Sequence, residues 1–153
     1  MSWCPKPRAL PCSSIRPLLQ IQVLNASTSS EIDAAFAALQ RERPDALFVT
    51  PDAFFISRRV QIISLAARDR IPAVYPDRAD VVAGGLMSYG TENAGRYRQV
   101  GVYSGNILKG AKPADLPVQQ STKFQFVINL QTARTLGIEV PETLLATADE
   151  LIQ

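Results

Sequence analysis

The chain has 153 residues, of which 46% are hydrophobic, and its formal net charge is +2 at pH 7. This length predicts one domain with a sizeable core, and the composition excludes a disordered chain and a protein that coats nucleic acid. The sequence has no histidine, which excludes imidazole-based triads and imidazole metal sites. It also has no apolar run near the roughly 20 residues of a membrane-spanning helix.

The first 18 residues differ from the rest of the chain. They contain a cluster of prolines and lack the apolar core of a signal peptide, so we predict an irregular segment over 1–18. Without a signal peptide, the location is cytoplasmic if the chain is translated as written. Cys4 and Cys12 fit neither a CxxC redox pair nor a zinc pattern, and we interpret them as ordinary thiols.

Strand-like and helical patterns alternate from about residue 19 onward. The alternating "LQIQVL" predicts a strand over Gln20–Leu24, and the capped, helically spaced "STSSEIDAAFAALQRERP" predicts a helix near 31–42. The continuous apolar run in "DALFVTP" predicts a strand over Ala46–Thr50 that is covered on both faces. The helical spacing returns in "FISRRVQIISLAARD", which predicts one helix near 55–68.

The second half continues the alternation. Strands are predicted at Ala73–Tyr75 and Leu86–Tyr89, followed by a long helix over Asn93–Leu108. After a proline-marked connection, "KFQFVINL" predicts a strand, "QTARTLG" a short helix, and "PETLLATADELI" a last helix with Pro141 in its first turn. Strands separated by helices indicate β-α-β units, so the predicted fold class is α/β, a Rossmann-like lobe with a parallel sheet.

The helix over 93–108 raises a question of its own. It carries three interior glycines, and each costs a helix about 1 kcal/mol relative to alanine. The surface beside them is too apolar for a helix that faces solvent, because it combines Gly101 and Gly105 with Val100, Tyr103, Ile107 and Leu108. If the partner of this helix is missing, we expect part of the surface to be exposed or covered by something else, with dimerisation through this helix or poor solubility as the result.

Signatures of phosphate chemistry and of nucleophilic catalysis are absent from the sequence. It contains neither a G-x-G-x-x-G after a strand, nor a P-loop, nor a G-x-S-x-G elbow. Asp77 and Asp80 are close in sequence, but we interpret them as solvated loop charges. Arg58 and Arg59 are interpreted as a solvated helix face. The prediction is a protein that is not an enzyme, with no catalytic residue, cofactor or metal.

A ligand of a parallel sheet binds beyond the carboxyl ends of the strands. Three loops qualify here, and together they contain aromatic rings, hydroxyls, one acid and one base, which suit a small amphipathic molecule such as an amino acid. The predicted ligand-binding residues are Thr50, Asp52, Phe54, Tyr75, Arg78, Ser88, Tyr89 and Thr91.

We expect Asp52, Tyr75 and Tyr89 to line one concave surface. Simpler interpretations remain open for several of these residues. Asp52 can be the N-cap of the following helix, Phe54 can be a core residue, and Arg78 can be a surface charge.

Much of the chain resembles a known family. The stretches "DAFFISRRVQIISLAARDRIPAVY", "AGGLMSYG" and "KGAKPADLPVQQSTKF" are similar to the carboxyl-terminal part of bacterial ABC-transporter substrate-binding proteins. The group is the one that resembles tryptophan- and aromatic-amino-acid-binding proteins, with the type I periplasmic-binding-protein fold. The resemblance begins near Gln20 and continues to Gln153.

The resemblance implies that residues 19–153 are one carboxyl-terminal α/β lobe with its crossover segments, and that the first lobe is largely absent. It implies a small-molecule solute bound between two lobes, ABC transporter permease subunits as partners, no nucleic acid, and a periplasmic location. It also implies that the helix over 93–108 packs on the first lobe. The sequence departs from the family at Ile56, where an asparagine is common, and at Pro76, where an acidic residue is common.

Two other functions remain as alternatives. One is the effector-binding domain of a transcription regulator, which has this fold type but predicts a helix-turn-helix that the residues before Leu19 do not show. The other is a small α/β enzyme, which the missing catalytic motifs disfavour.

Overall fold

The computed structural model describes residues 20–118 and 123–153. Five strands form one sheet in the order β1-β2-β3-β4-β5, and their bounds are Leu47–Phe48 (β1), Ala73–Tyr75 (β2), Met87–Thr91 (β3), Phe124–Asn129 (β4) and Glu150–Ile152 (β5). The α-helices in these ranges are Ser29–Glu42 (α1), Ala53–Ser57 (α2), Arg59–Arg68 (α3), Arg78–Val82 (α4), Asn93–Leu108 (α5), Leu130–Leu136 (α6) and Glu142–Thr147 (α7), with a 3₁₀ turn at Pro113–Asp115.

The sheet is mostly parallel, and the predicted α/β class is confirmed. The pairs β1–β2, β2–β3 and β4–β5 are parallel, whereas β3 and β4 are antiparallel. The antiparallel pair arises because the chain leaves the sheet at the end of β3 and returns at the same edge, where the Glu92 amide donates to the Lys123 carbonyl oxygen at 3.1 Å.

The main core lies between two helices and one face of the sheet. α1 contributes Ile32, Phe36 and Leu39, which follow the helical spacing seen in the sequence. They pack with residues of α3, of β2 and of the segments that follow β1 and precede β2, namely Val49, Ile62, Ile63, Ala66, Ile71, Ala73 and Tyr75. The helix α1 begins where the Thr28 hydroxyl accepts a hydrogen bond from the Glu31 amide, as its capping residues predict.

Four predicted elements need correction. The strand β1 covers only Leu47–Phe48, and it is not covered on both faces as predicted, because Phe48 is 64% exposed. Residues 20–24 form no strand, because a strand requires backbone pairing and no described strand pairs with this segment; its Leu24 packs against the core and its Ile21 is exposed. The helix predicted near 55–68 is divided into α2 and α3 at Arg58, which lies outside helical geometry with φ −104° and ψ 16°.

The last predicted helix is also too long. It ends at Thr147, and the residues that follow form the strand β5. The cause is backbone pairing with β4, since the Asp149 amide donates to the Phe126 carbonyl and the Phe126 amide donates to the Asp149 carboxylate. The predicted irregular segment over 1–18, with Cys4 and Cys12, lies outside the described residues.

The helix α5 has the predicted bounds and contains no buried residue. A Cβ added at Gly101 or at Gly105 would meet nothing within 4 Å. Tyr103 is half-buried and its hydroxyl donates to the Pro117 carbonyl, while the other large apolar side chains are exposed, namely Tyr97, Val100, Val102, Ile107 and Leu108. The expectation that part of this surface is exposed is therefore confirmed. No helix within the two described ranges is long and apolar enough to cross a membrane.

Candidate functional site

The candidate site lies at one end of the strands of the sheet, and we call this end the rim. The parallel strands β1, β2 and β3 all end there, and β4 and β5 begin there because they run in the opposite direction. Thr91 at the end of β3 lies opposite Phe124 at the start of β4. The rim thus combines the three loops predicted from the sequence with the starts of two further strands.

The first loop of the rim carries Thr50, Asp52 and Phe54. Asp52 is the N-cap of α2, and its carboxylate accepts a hydrogen bond from the Phe54 amide at 2.7 Å. This is the simpler of the two interpretations of Asp52, although the side chain remains exposed. Phe54 is half-buried against the main core, and Thr50 is exposed. Only Thr50 and Asp52 are therefore presented to solvent.

The loop after β2 contains an acidic pair that is not solvated as expected. Asp77 is the N-cap of α4 and accepts from the Ala79 amide at 2.9 Å. Asp80 is buried, accepts from the Asp77 amide at 3.2 Å, and forms an ion pair with Arg59. The expected solvated charges at Asp80 and Arg59 are thus wrong. The D-x-x-D spacing of a capping box was the signal that could have revealed this role.

Tyr75 is buried rather than exposed at the rim. Only 3% of the residue is exposed. Its ring packs directly on Gly85, where an added Cβ would lie 2.8 Å from Tyr75 Cε2. Burial raises the pKa of the Tyr75 phenol above its usual range, and the nearby Asp80 carboxylate raises that pKa further. This side chain is part of the core.

Tyr75 and Tyr89 lie on opposite faces of the sheet. Tyr75 is the register partner of Ser88, and successive side chains of a strand alternate between faces, so Tyr89 points to the other face. The expectation that Tyr75 and Tyr89 line one concave surface is therefore wrong. Ser88 is itself buried, and its hydroxyl has no hydrogen-bond partner among the described residues.

A small hollow lies between the first two loops of the rim. Thr50 and Tyr75 line it, together with the ion pair of Arg59 and Asp80 and with Val49, Phe55, Ile56, Ile62 and Pro76. Its volume of about 10 Å³ is room for about one water molecule, which is too small for an amino acid. Of the predicted ligand-binding residues, it brings together only Thr50 and Tyr75. The described ranges hold no cluster of three or more side chains suited to a metal ion.

Arg78 has a partner that the sequence did not reveal. Its Nε and Nη2 atoms donate to the two carboxylate oxygens of Glu150, each at 2.6 Å. This bidentate pairing raises the pKa of Arg78 and lowers the pKa of Glu150. Glu150 was missed because its segment reads as a helix, and it reaches the rim only as the first residue of β5.

The chain crosses out of the sheet and back at adjacent points of the rim. Glu92 and Lys123 are joined by a backbone hydrogen bond and by an ion pair of 3.1 Å. Asn93, the first residue of α5, donates from Nδ2 to the Asp77 carboxylate and accepts at Oδ1 from Arg96 at 3.1 Å. These contacts attach the start of α5 to the rim.

Three aromatic rings cluster beside the crossing. The ring of Tyr89 stacks on that of Phe124 with centroids 5.6 Å apart and planes 8° apart, and it meets Phe126 edge-on at 6.3 Å. The sequence reasoning found Tyr89 but missed the two phenylalanines. Their alternation in "KFQFVINL" was visible, but the pairing of that strand with β3 was not.

The comparisons with known proteins agree with this fold. The family model described as ABC transporter substrate binding protein matches residues 16–152. Among solved structures, an ABC domain from Streptococcus pneumoniae in complex with L-Trp is 29% identical, with a TM-score of 0.79, and the match covers 88% of this chain and 46% of that one. Comparison with the curated proteins finds no match.

Two further solved structures are similar. A conserved domain protein from Vibrio cholerae is 28% identical with a TM-score of 0.75, over 82% of this chain and 42% of that one. A ligand-free, open substrate-binding protein with adhesive properties from Clostridium difficile shares the fold at 23% identity and a TM-score of 0.57, over 84% and 42% of the two chains. The chain spans about half the length of these three structures. Because the family model covers most of the sequence, the chain belongs to the ABC transporter substrate-binding protein family.

Proposed function

We propose that this chain is the solute-binding lobe of an ABC-type importer, or a truncated relative of one, and that it captures a small organic solute such as an amino acid without transforming it. The observation that carries the proposal is the family match over residues 16–152, supported by the likeness to a domain in complex with L-Trp. The proposal includes transporter permease subunits as partners and a periplasmic location, both of which rest on the family.

The proposed binding surface is the exposed part of the rim. Thr50, Asp52 and Tyr89 are exposed there and Thr91 is half-buried, and together they offer two threonine hydroxyls, a carboxylate and a tyrosine ring at the ends of the strands β1 and β3 or near them. Arg78 adds a guanidinium that Glu150 holds in place. Phe54, Tyr75 and Ser88 support the rim from within, because they are buried or half-buried.

The rim by itself is open, so the proposal includes a second surface that closes over the solute. Two features support this part of it. The hollow beside Thr50 is too small for an amino acid, and the matched structures are more than twice as long as the part that this chain covers. The helix α5 also supports a second surface. It has 16 residues and none of them is buried, whereas a helix of a folded domain ordinarily buries its apolar face against a partner.

Where a second lobe is missing, we propose that α5 pairs with α5 of another copy of the chain. Val100 and Leu108 are exposed beside Gly101, whose missing side chain allows a close approach. Replacing Leu108 by glutamate is expected to shift the chain from dimer to monomer in sedimentation velocity. A wild-type chain that is monomeric at all concentrations would contradict this pairing.

Calorimetric titration with L-tryptophan, L-leucine and L-glutamate tests the solute-binding role. The 153-residue chain is titrated alone and after mixing with the lobe of the pneumococcal structure that this chain does not match. We expect saturable binding of at least one amino acid, with higher affinity in the mixture. The double variant Thr50→Val with Thr91→Val should weaken that binding, whereas Thr143→Val, an exposed threonine of α7, should not. An absence of binding in both samples would refute the proposal.

A further inference from the structure

The two lateral edges of the sheet differ in how well they are protected. β5 forms one edge, and its Glu150 is paired with Arg78. β1 forms the other edge, and the five residues 46–50 around it contain neither a charge nor a proline. Charges and prolines are common protection for an edge strand, because an unpaired edge is a template for another strand. The edge at β1 lacks both.

Phe48 carries the unpaired backbone groups of this edge. The Leu47 amide donates to the Pro72 carbonyl at 2.8 Å, and the Val49 amide donates to the Val74 carbonyl at 3.0 Å. Successive residues of a strand direct their backbone groups to opposite sides, so the N–H and C=O groups of Phe48 point away from β2. No described strand pairs with β1 on that side, and the Phe48 side chain is 64% exposed.

The segment 20–24 is connected in a way that places it at this edge. It precedes α1 and β1, just as β1 precedes α3 and β2, and the two helices pack in one core on the same face of the sheet. Such crossovers are right-handed in nearly all proteins, so both steps run in the same direction across the sheet. The segment therefore belongs on the side of β1 that faces away from β2.

This segment has the side-chain pattern of a strand but no strand partner. Leu24 packs against the core, whereas Ile21 is 74% exposed and Val23 is 75% exposed. The backbone hydrogen bonds among the described residues include none from 20–24. Direct pairing with β1 would satisfy both backbones, since each pairing bond is favourable. Leu24 is anchored and the pairing is still not made, which points to room for a strand between the two.

The surroundings define the chemistry of such a strand. On one face it would meet the core that α1 covers with Ile32 and Phe36, and on the other face it would lie beside Val23 and Phe48. Strands covered in this way are continuous apolar runs. A proline lacks the amide needed for pairing, and a charge would lose its water without gaining a partner.

We infer that the edge at β1 accepts one apolar, proline-free strand of another polypeptide, which lies between β1 and the segment 20–24 and pairs with both. This interaction surface is separate from the rim, because it completes the sheet and does not cover a solute. Its main determinant is the backbone of Phe48.

The probe is an acetylated peptide of five alternating valine and isoleucine residues, flanked by lysines for solubility. Its binding is followed by amide shifts and hydrogen exchange of the isotopically labelled 153-residue chain. In a control peptide, proline replaces the central residue. Two further peptides carry N-methyl groups at the odd or at the even positions, so that each loses the donors of one edge only.

Two variants of the chain separate the backbone from the side chain. Phe48→Pro removes the outward N–H, which an edge strand tolerates because no other strand of the chain uses it. Phe48→Val is the matched control, because it also removes the ring but keeps the N–H. Urea unfolding verifies that both variants are folded, and the methylated peptides provide the same test on the wild-type chain.

We expect the peptide to shift the amides of Phe48 and of 20–24 and to slow their exchange, and the proline peptide to do neither. F48P should bind the peptide about 2- to 12-fold more weakly than F48V, the effect of one lost backbone hydrogen bond. Both methylated peptides should bind more weakly than the parent, since an inserted strand uses both of its edges.

Several outcomes would overturn the inference. Shifts that spare residues 46–50, or equal binding by F48P and F48V, would show that the edge at β1 is not the site. Slow exchange of the Phe48 amide without peptide would mean that the chain already covers this edge, and protection that grows with chain concentration would identify a second copy as the occupant. If only one methylated peptide is weakened and 20–24 stays unprotected, the strand does not lie between the two segments.

Discussion

The ion pair between Arg59 and Asp80 provides the sharpest test of the core. Replacing Arg59 by methionine keeps a long apolar side chain in place but removes the cation. The Asp80 side chain is 6% exposed, so its carboxylate would be left in the interior with the Asp77 amide as its remaining hydrogen-bond donor among the described residues. A buried charge without its partner is strongly unfavourable.

The size of the effect follows from the burial of the two partners. Breaking a fully buried ion pair from one side costs about 3–5 kcal/mol. The Arg59 side chain is 25% exposed, so solvent already screens part of the interaction. We therefore expect R59M to lower the free energy of unfolding by about 2–3 kcal/mol, which for a chain of this length lowers Tm by about 4–12 °C.

Urea unfolding followed by circular dichroism measures the loss. Arg58→Met is the matched control, because Arg58 is the exposed neighbour, and its cost should stay within about 0.5 kcal/mol. Adding Asp80→Asn to R59M should recover stability, since the buried charge disappears while an amide can still cap α4. If R59M is no more destabilising than R58M, or if Asp80→Asn makes R59M worse, the reasoning from a buried, unpaired carboxylate is refuted.

Three further predictions follow from individual contacts. Because the pKa of Glu150 is lowered in the folded chain, its contribution to stability is present above the ordinary pKa of 4.5 and is lost as pH falls below that value. The urea midpoints of wild type and Glu150→Gln should therefore differ near neutral pH and converge in acid. A difference that stays constant with pH would contradict this. A Cβ at Gly90 would lie 1.9 Å from the Pro76 carbonyl oxygen, whereas one at Gly101 would meet nothing within 4 Å. Gly90→Ala should therefore lower the free energy of unfolding by at least about 1–3 kcal/mol, and Gly101→Ala should raise it by up to about 1 kcal/mol. Urea midpoints that shift in the same direction for both variants would disprove the contrast. Because the pKa of Tyr75 is raised in the folded chain, its contribution to stability is intact below the ordinary pKa of 10.0 and is lost as pH rises above that value. The Tm of Tyr75→Phe should therefore fall less at alkaline pH than the Tm of wild type. Identical alkaline profiles of Tm would count against a buried phenol.

The parts of the fold that the sequence predicted are those that depend on local pattern. The bounds of α5 and β2, and the buried stripe of α1, follow from spacing within one segment. Whether the segments 150–152 and 20–24 form strands depends instead on hydrogen bonding to a neighbouring strand, which the first has and the second lacks among the described residues. The letters "DELI" read as helix, but two hydrogen bonds exchanged between Asp149 and Phe126 of the strand β4 make this segment a strand.

The candidate site was predictable to the level of the rim but not to the level of faces. The rule that ligands bind at the carboxyl ends of parallel strands identified the three loops. Whether Tyr75 and Tyr89 share a face depends on the register between β2 and β3, and a shift of one residue would have reversed the answer. The roles of Asp80, Glu150 and Phe124 depend on partners that are 21 to 72 positions away or on another strand, which a single sequence does not reveal.

The doubled crossing at Glu92 and Lys123 has a mechanical consequence. Two antiparallel segments joined by hydrogen bonds form a ribbon, and a ribbon bends readily across its flat face but resists bending within its plane, because in-plane bending must stretch the hydrogen bonds along one side. The start of α5 is therefore held to the sheet by three contacts within two positions, namely the Glu92–Lys123 backbone bond, the ion pair of the same two residues and the bond from Asn93 to Asp77.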